Sequence, residues 1–169
     1  MDNKLRIAGI VQDSIVDGPG IRLVVFTQGC RHNCPGCHNP HTHSFDGGKL
    51  VDIEYIIGQA RENPLLDGIT LSGGEPFEQA NILSKLAKQA KALGYNIMTY
   101  TGYTYEYILS SPSKIDGWAE FLDNIDILVD GRFEIEKKNP LLKFRGSENQ
   151  RVIDVKKTRL KGEIVLADI

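Results

Sequence analysis

The feature that most constrains this chain is one short loop holding all three of its cysteines, Cys30, Cys34 and Cys37, in the spacing CxxxCxxC. Three thiolates from one tight loop can ligate three corners of a cubane iron–sulfur cluster, whose irons each need an outer ligand. Since the chain has no fourth cysteine, one iron would keep the exchangeable position that substrate chemistry requires. The spacing leaves two alternatives open. One is three inert cysteines, and the other is a zinc site completed by one of four histidines: His32, His38, His41 and His43.

The rest of the sequence indicates a cytoplasmic protein, in which thiols stay reduced. No apolar run approaches the roughly 18 residues that span a bilayer, and the N-terminus lacks the apolar stretch of a signal peptide. In such a chain, closely spaced cysteines indicate metal ligands rather than disulfides. The formal net charge of -2 gives no indication of a nucleic-acid or membrane partner.

Charge is unevenly distributed along the chain. Residues 1–130 hold 10 basic and 16 acidic side chains, a net -6, and residues 131–169 hold 10 and 6, a net +4. We therefore distinguish a cluster and cofactor core, residues 20–130, from a basic C-terminal segment, residues 131–169. That segment is either a solvated face or a docking surface for an acidic partner.

Strand and helix patterns alternate along the chain, which predicts a single α/β domain over residues 1–169. Predicted strands cover residues 21–28, 68–71, 96–100, 126–129 and 151–155, and predicted helices cover residues 52–62, 77–93, 103–110 and 115–123. This alternation favours parallel strands, in a chain too short for a complete barrel of about 250 residues. We expect a partial, open (βα) barrel that binds its ligands beyond four strand ends, at the turns after Gln28, Leu71, Tyr100 and Val129.

Several segments of the chain follow one another in the order typical of a known family. They are DGPGIR at residues 17–22, FTQGC at 26–30, SGGEP at 72–76, VDGRF at 129–133, FRGS at 144–147 and NQRVI at 149–153. With the cysteine loop after a strand, they resemble the radical S-adenosylmethionine superfamily and its glycyl-radical-enzyme activases. The last three segments are similar to the activating proteins of anaerobic ribonucleoside-triphosphate reductase.

The resemblance implies an oxidoreductase with a [4Fe-4S] cluster and S-adenosylmethionine as cofactors. Adenosylmethionine would chelate the open iron, and an electron from the reduced cluster would cleave it into methionine and a 5′-deoxyadenosyl radical. That radical would take a hydrogen atom from a glycine of the large subunit of anaerobic ribonucleotide reductase, leaving a glycyl radical there. No auxiliary ferredoxin-like domain is recognisable, so the electron would come from a separate donor such as a flavodoxin.

The resemblance also assigns roles to the SGGEP segment. Gly73 and Gly74 would let the backbone approach the methionine moiety closely. The Glu75 carboxylate would accept a charge-assisted hydrogen bond from the amino group of the cofactor. By itself, the segment is typical of a strand-to-helix turn with an acidic residue at the helix start.

Further cofactor-binding residues follow from position in the family. Gly36 and His38 flank Cys37 and would lie against the cofactor. Thr101 and Asp130 follow later strands, where related enzymes bind the carboxylate, the ribose or a monovalent cation. Both would lie on the same sheet edge as the cysteines.

Two other functions stay open. One is a small-molecule radical S-adenosylmethionine enzyme such as 7-carboxy-7-deazaguanine synthase, which is similarly short, and the other is a zinc-bearing binding module without catalysis. The C-terminal segments favour the activase over the first, and SGGEP with the missing fourth cysteine favours an enzyme over the second. We also hypothesise that residues 145–147 and 149–151, which include Arg145 and Arg151, shape the mouth that receives the glycine loop; the alternative is a structural turn.

Overall fold

The computed structural model describes residues 3–110 and 117–169. In chain order its strands are β1 (Lys4–Ser14), β2 (Arg22–Thr27), β3 (Lys49–Asp52), β4 (Gly68–Gly73), β5 (Asn96–Tyr100), β6 (Ile127–Asp130) and β7 (Arg151–Asp154). The α-helices are α1 (Ile53–Arg61), α2 (Ala80–Ala92), α3 (Tyr105–Ser110), α4 (Trp118–Asp123) and α5 (Val155–Lys161). None of these helices combines the length and apolarity that crossing a membrane requires.

The strands form one mixed sheet in the order β3-β1-β2-β4-β5-β6-β7. The four inner strands β2, β4, β5 and β6 run parallel, which confirms the predicted βα units there. The pairs β1–β2, β1–β3 and β6–β7 are antiparallel. The last of these differs from the prediction because residues 131–150, all described, contain no α-helix to carry a parallel crossover. The α/β class is confirmed, and the partial barrel stays a prediction.

The sequence pattern locates the inner strands well and the edges poorly. It does not predict β1, which mixes polar and apolar residues, or β3, which has four mostly exposed residues. Val155 begins α5 instead of ending the last strand, because the Asp154 side chain accepts a hydrogen bond from Lys157 N (2.9 Å) and caps the helix. Of the predicted helix 115–123, residues 115 and 116 lie outside the described residues.

The two sides of the sheet have different roles, since alternate residues of a strand face opposite ways. One side packs against helices and holds the main core, including Leu23 and Ile69. The other side carries a smaller apolar cluster around Met98 and Val129. This second side contributes Phe26 and Tyr100 to the lining of a cavity.

Candidate functional site

The carboxyl ends of the four parallel strands surround one cavity of about 490 Å³. The turns after these strands all contribute to its lining, as predicted from their shared edge: Cys30, Gly73, Gly74, Thr101, Gly102 and Gly131. A cavity of this volume suits a small molecule or cofactor.

All three cysteines line this cavity, and each is a free, half-buried thiol. The start of their loop is fixed by a backbone hydrogen bond from Cys30 N to His43 O (3.1 Å). Asn39 N donates a hydrogen bond to Cys37 Sγ (3.4 Å), and the backbone N–H groups of His32 and Phe133 act to lower the pKa of Cys30 and Cys34. The loop therefore presents three thiols to one space, with N–H groups near them from the loop itself, from Asn39 and from the segment after β6.

The three cysteine thiols are chemically suitable ligands for an iron–sulfur cluster. Burial raises the pKa of the Cys30 and Cys34 thiols, while the nearby N–H groups act in the opposite direction. A bound metal ion deprotonates a coordinating thiol outright, so burial does not prevent coordination. In a cluster each thiolate binds a different iron, so the three thiolates need not converge on one point as the ligands of a single metal ion do. Among the described side chains, no three His, Cys, Asp or Glu are grouped to hold a single metal ion.

Gly73 and Gly74 let the turn after β4 pack directly on the cysteine loop. Gly74 N donates to Thr27 O (2.8 Å), and Glu75 N donates to Gly29 O (2.8 Å). A Cβ on Gly73 would lie 2.5 Å from Thr27 N, and one on Gly74 would lie 2.5 Å from Gly29 O. The absence of side chains is thus required by backbone packing, and the predicted approach of the cofactor to these glycines, which line the cavity, stays a prediction.

Glu75 has no exposed side-chain surface and does not line the cavity. Its carboxylate accepts hydrogen bonds from Phe77 N (2.9 Å), Thr101 Oγ1 (2.9 Å) and Gly102 N (2.7 Å). The fourth partner is His32 Nε2, at 2.7 Å. The carboxylate therefore joins the turn after β4 to the turn after β5 and to the cysteine loop. Its predicted hydrogen bond to a cofactor amino group stays a prediction.

The residues flanking Cys37 occupy different places. His38 lines the cavity, with its ring 5.1 Å from that of Phe133. Gly36 does not line the cavity and has a φ of +74°. A Cβ there would lie 2.7 Å from Ile135 Cδ1, so this glycine lets the cysteine loop pack under the segment after β6.

Asp130 is 1% exposed and lies behind the cavity wall, whereas Thr101 lines the cavity. The Asp130 carboxylate accepts a hydrogen bond from Tyr105 N (2.8 Å) at the start of α3 and one from Arg151 Nε (3.0 Å). Arg151 also pairs with Glu106 (2.6 Å) and thereby lowers the pKa of that carboxyl. These contacts join β6, β7 and α3.

Replacing Arg151 by methionine should lower the free energy of unfolding by about 2–3 kcal/mol, because it leaves the buried Asp130 charge unpaired; the loss is smaller than for a fully buried pair since the Arg151 side chain is 31% exposed. Denaturant unfolding of the purified protein measures this change. The matched control is Arg159→Met, which breaks only the exposed ion pair with Asp123 and should cost less than about 1 kcal/mol. Equal losses for the two variants would contradict the structural role of Arg151.

The sequence pattern does not assign several residues that line the cavity: Val16, Asp17, Phe26, Tyr100, Arg132, Leu142 and Phe144. Arg132 could have been predicted to line the cavity, because it directly follows Gly131 in the turn after β6. Of the two segments hypothesised to shape the mouth, Arg145, Gly146 and Gln150 line the cavity and Arg151 does not, and their role in receiving the glycine loop stays a prediction. Arg145 donates to the carbonyl oxygens of Glu148 and Gln150 and forms no ion pair with the described residues.

The chain is similar in sequence to one described protein family and to proteins from bacteria and a phage. A family described as a 4Fe-4S single cluster domain matches residues 16–153. The chain is 36% identical over 146 residues to the anaerobic ribonucleoside-triphosphate reductase-activating protein of Salmonella typhimurium, covering 82% of this chain and 91% of that protein. The protein of the same name from Escherichia coli strain K12 is 35% identical with the same coverage. The one from Enterobacteria phage T4 is 34% identical over 144 residues, or 81% and 86% of the two chains.

A solved structure supports the fold. The crystal structure of QueE from Escherichia coli superposes with a TM-score of 0.51 and 16% sequence identity, covering 61% of this chain and 55% of the QueE chain. At this identity the likeness shows the shared α/β fold alone.

Proposed function

This chain belongs to the family of anaerobic ribonucleoside-triphosphate reductase-activating proteins and has a 4Fe-4S single cluster domain, and on that premise we propose that it forms the glycyl radical of an anaerobic ribonucleotide reductase. S-adenosylmethionine is the second cofactor. When bound, the reduced cluster would supply one electron for cleavage of adenosylmethionine, which would release methionine and provide the group that abstracts hydrogen. The protein is then an oxidoreductase of the radical S-adenosylmethionine type.

The residues of the chain hold and orient these groups. The thiolates of Cys30, Cys34 and Cys37 would hold the cluster, and with three protein thiolates one iron would stay open for adenosylmethionine. The backbone at Gly73 and Gly74 forms the adjoining wall that orients the methionine moiety. Glu75 acts from behind this wall, where its protein hydrogen bonds keep the strand-end turns in place.

One observation carries this proposal: three thiols and the strand-end glycine turns converge on a single cavity of about 490 Å³. A structural zinc site has no need of such a space beside it. The cavity volume instead provides room for a substrate-sized cofactor next to the cluster.

The large subunit of the reductase is the macromolecular partner, and a separate donor such as a flavodoxin reduces the cluster in the cytoplasm. Within the basic segment, Arg132 and Arg145 line the cavity and form no ion pair with the described residues. We place the docking surface for the partner around these two side chains, since unpaired cations favour an acidic partner.

The test is anaerobic reconstitution with iron and sulfide, followed by reduction in the presence of adenosylmethionine and the large reductase subunit. We expect about four irons per chain, release of 5′-deoxyadenosine and the electron paramagnetic resonance doublet of a glycyl radical. Cofactor cleavage without the doublet would favour a small-molecule substrate. A colourless protein with one zinc per chain would refute both enzyme assignments.

A further inference from the structure

His32 lies in the cysteine loop, midway between Cys30 and Cys34, yet its side chain is only 4% exposed. Histidine is intermediate among residue types in its tendency to be buried, and a buried polar ring needs a hydrogen-bond partner. Here the ring packs edge-on against Tyr103, with the ring centroids 4.5 Å apart. The cysteine loop is therefore anchored from inside by a side chain that binds no metal in the proposed function.

A single polar contact holds this ring. Nε2 is 2.7 Å from Glu75 Oε1, and Nδ1 is buried without a hydrogen-bond partner among the described residues. Because a carboxylate only accepts hydrogen bonds, the proton of this contact is on Nε2. A hydrogen bond to a charged group in a buried site is among the stronger kinds.

The fit around the ring is tight on the side of β5. A Cβ on Gly102 would lie 2.5 Å from His32 Cδ2 and 2.6 Å from His32 Nε2. The same glycine donates its N–H to the Glu75 carboxylate (2.7 Å). Glycine at this position thus makes room for the ring and also shares its hydrogen-bond acceptor.

The backbone of His32 lies close to the first cysteine, since its N–H group acts to lower the pKa of the Cys30 thiol against the effect of burial. We propose that His32 is a positioning residue, whose ring, held by Glu75 at 2.7 Å, keeps this N–H group beside the sulfur of Cys30. The inference rests on the proposed function, because it treats Cys30 as a cluster ligand. Through the same carboxylate, His32 couples the cluster loop to the cavity wall at Gly102.

This placement has an electronic consequence. Hydrogen bonds to the sulfurs of an iron–sulfur cluster help to set its reduction potential. An N–H donor stabilises the reduced, more negative cluster more than the oxidised one. Loosening His32 should therefore make the cluster harder to reduce, and it should also disturb the wall beside the cofactor.

The experiment compares His32→Leu with His32→Gln in the reconstituted protein. Glutamine can present an N–H group where Nε2 stands, whereas leucine fills space without a donor. We expect a more negative midpoint potential and about tenfold weaker adenosylmethionine binding for the leucine variant, the range for outer-shell partners of a metal site. The glutamine variant should remain near the wild type in both measurements.

Gly102→Ala provides a second route if the leucine variant loses its cluster. It keeps the histidine and displaces the ring, so it should shift the potential in the same direction. A wild-type potential and affinity for Gly102→Ala and for an iron-loaded His32→Leu would overturn the inference, as would equal losses in the leucine and glutamine variants. Failure of the wild type to bind adenosylmethionine would instead refute the proposed function, while the potential would still report on His32.

Discussion

Replacing Cys34 by alanine is expected to abolish stable cluster binding and glycyl-radical formation together. Removing one of three thiolates leaves two protein ligands on a cluster that also needs an open iron. We expect activation to fall by more than roughly 100-fold, beyond the loss typical for outer-shell partners. Iron content after anaerobic reconstitution and the amplitude of the glycyl-radical signal measure the two effects.

The control for this variant is His41→Ala. His41 is exposed, belongs to the same region and does not line the cavity. It should retain iron and activity, whereas a zinc site that used His41 would lose its metal. A Cys34→Ala protein with a full complement of iron would show that the cluster ligands lie elsewhere.

Replacing Gly74 by alanine is expected to reduce activation by roughly 100-fold, the cost of moving a reacting group by about 1 Å. The new methyl group would lie 2.5 Å from Gly29 O and 3.0 Å from Gly29 N, both rigid backbone atoms. One of the two loops must therefore shift. We expect weaker adenosylmethionine binding with little change in iron content, as measured by titration of the reconstituted protein.

Gly58→Ala is the matched control for this substitution. Gly58 lies within α1, and a Cβ there would meet nothing within 4 Å. The alanine should leave activity unchanged and stabilise the helix by roughly 0.5–1 kcal/mol. If Gly74→Ala behaved in the same way, close packing of the two loops would have no part in function.

The inner sheet was predictable because its strands are apolar runs bounded by turns. Residues 96–100 and β5 coincide, for example. β1 was not predictable in this way, since only its pairing with β2 and β3 makes a strand of a mixed segment. The direction of β7 likewise depends on what the chain forms between β6 and β7, which local pattern does not reveal.

The candidate site, like the sheet, could be predicted from the sequence only in part. The motif positions predicted that the three cysteines and the Gly73–Gly74 turn lie at one edge of the sheet, and these residues line one cavity. It did not reveal that Glu75 and Asp130 are each enclosed by donors from the protein, because hydrogen bonds between residues far apart in sequence arise only on folding. The proposed role of His32 was hidden for that reason, since the residue stands between two cysteines in sequence and its hydrogen-bond partner Glu75 is 43 residues away.

The hydrogen bonds of Glu75 also have a thermodynamic consequence. One carboxylate joins the loop that would hold the cluster to the wall that would orient the cofactor, so under the proposed function we expect the two occupancies to be linked equilibria. Linkage is reciprocal: whatever factor a bound cluster adds to the affinity for adenosylmethionine, the bound cofactor returns to the retention of the cluster. In the proposed enzyme, a shortage of one cofactor would therefore lower the retention of the other.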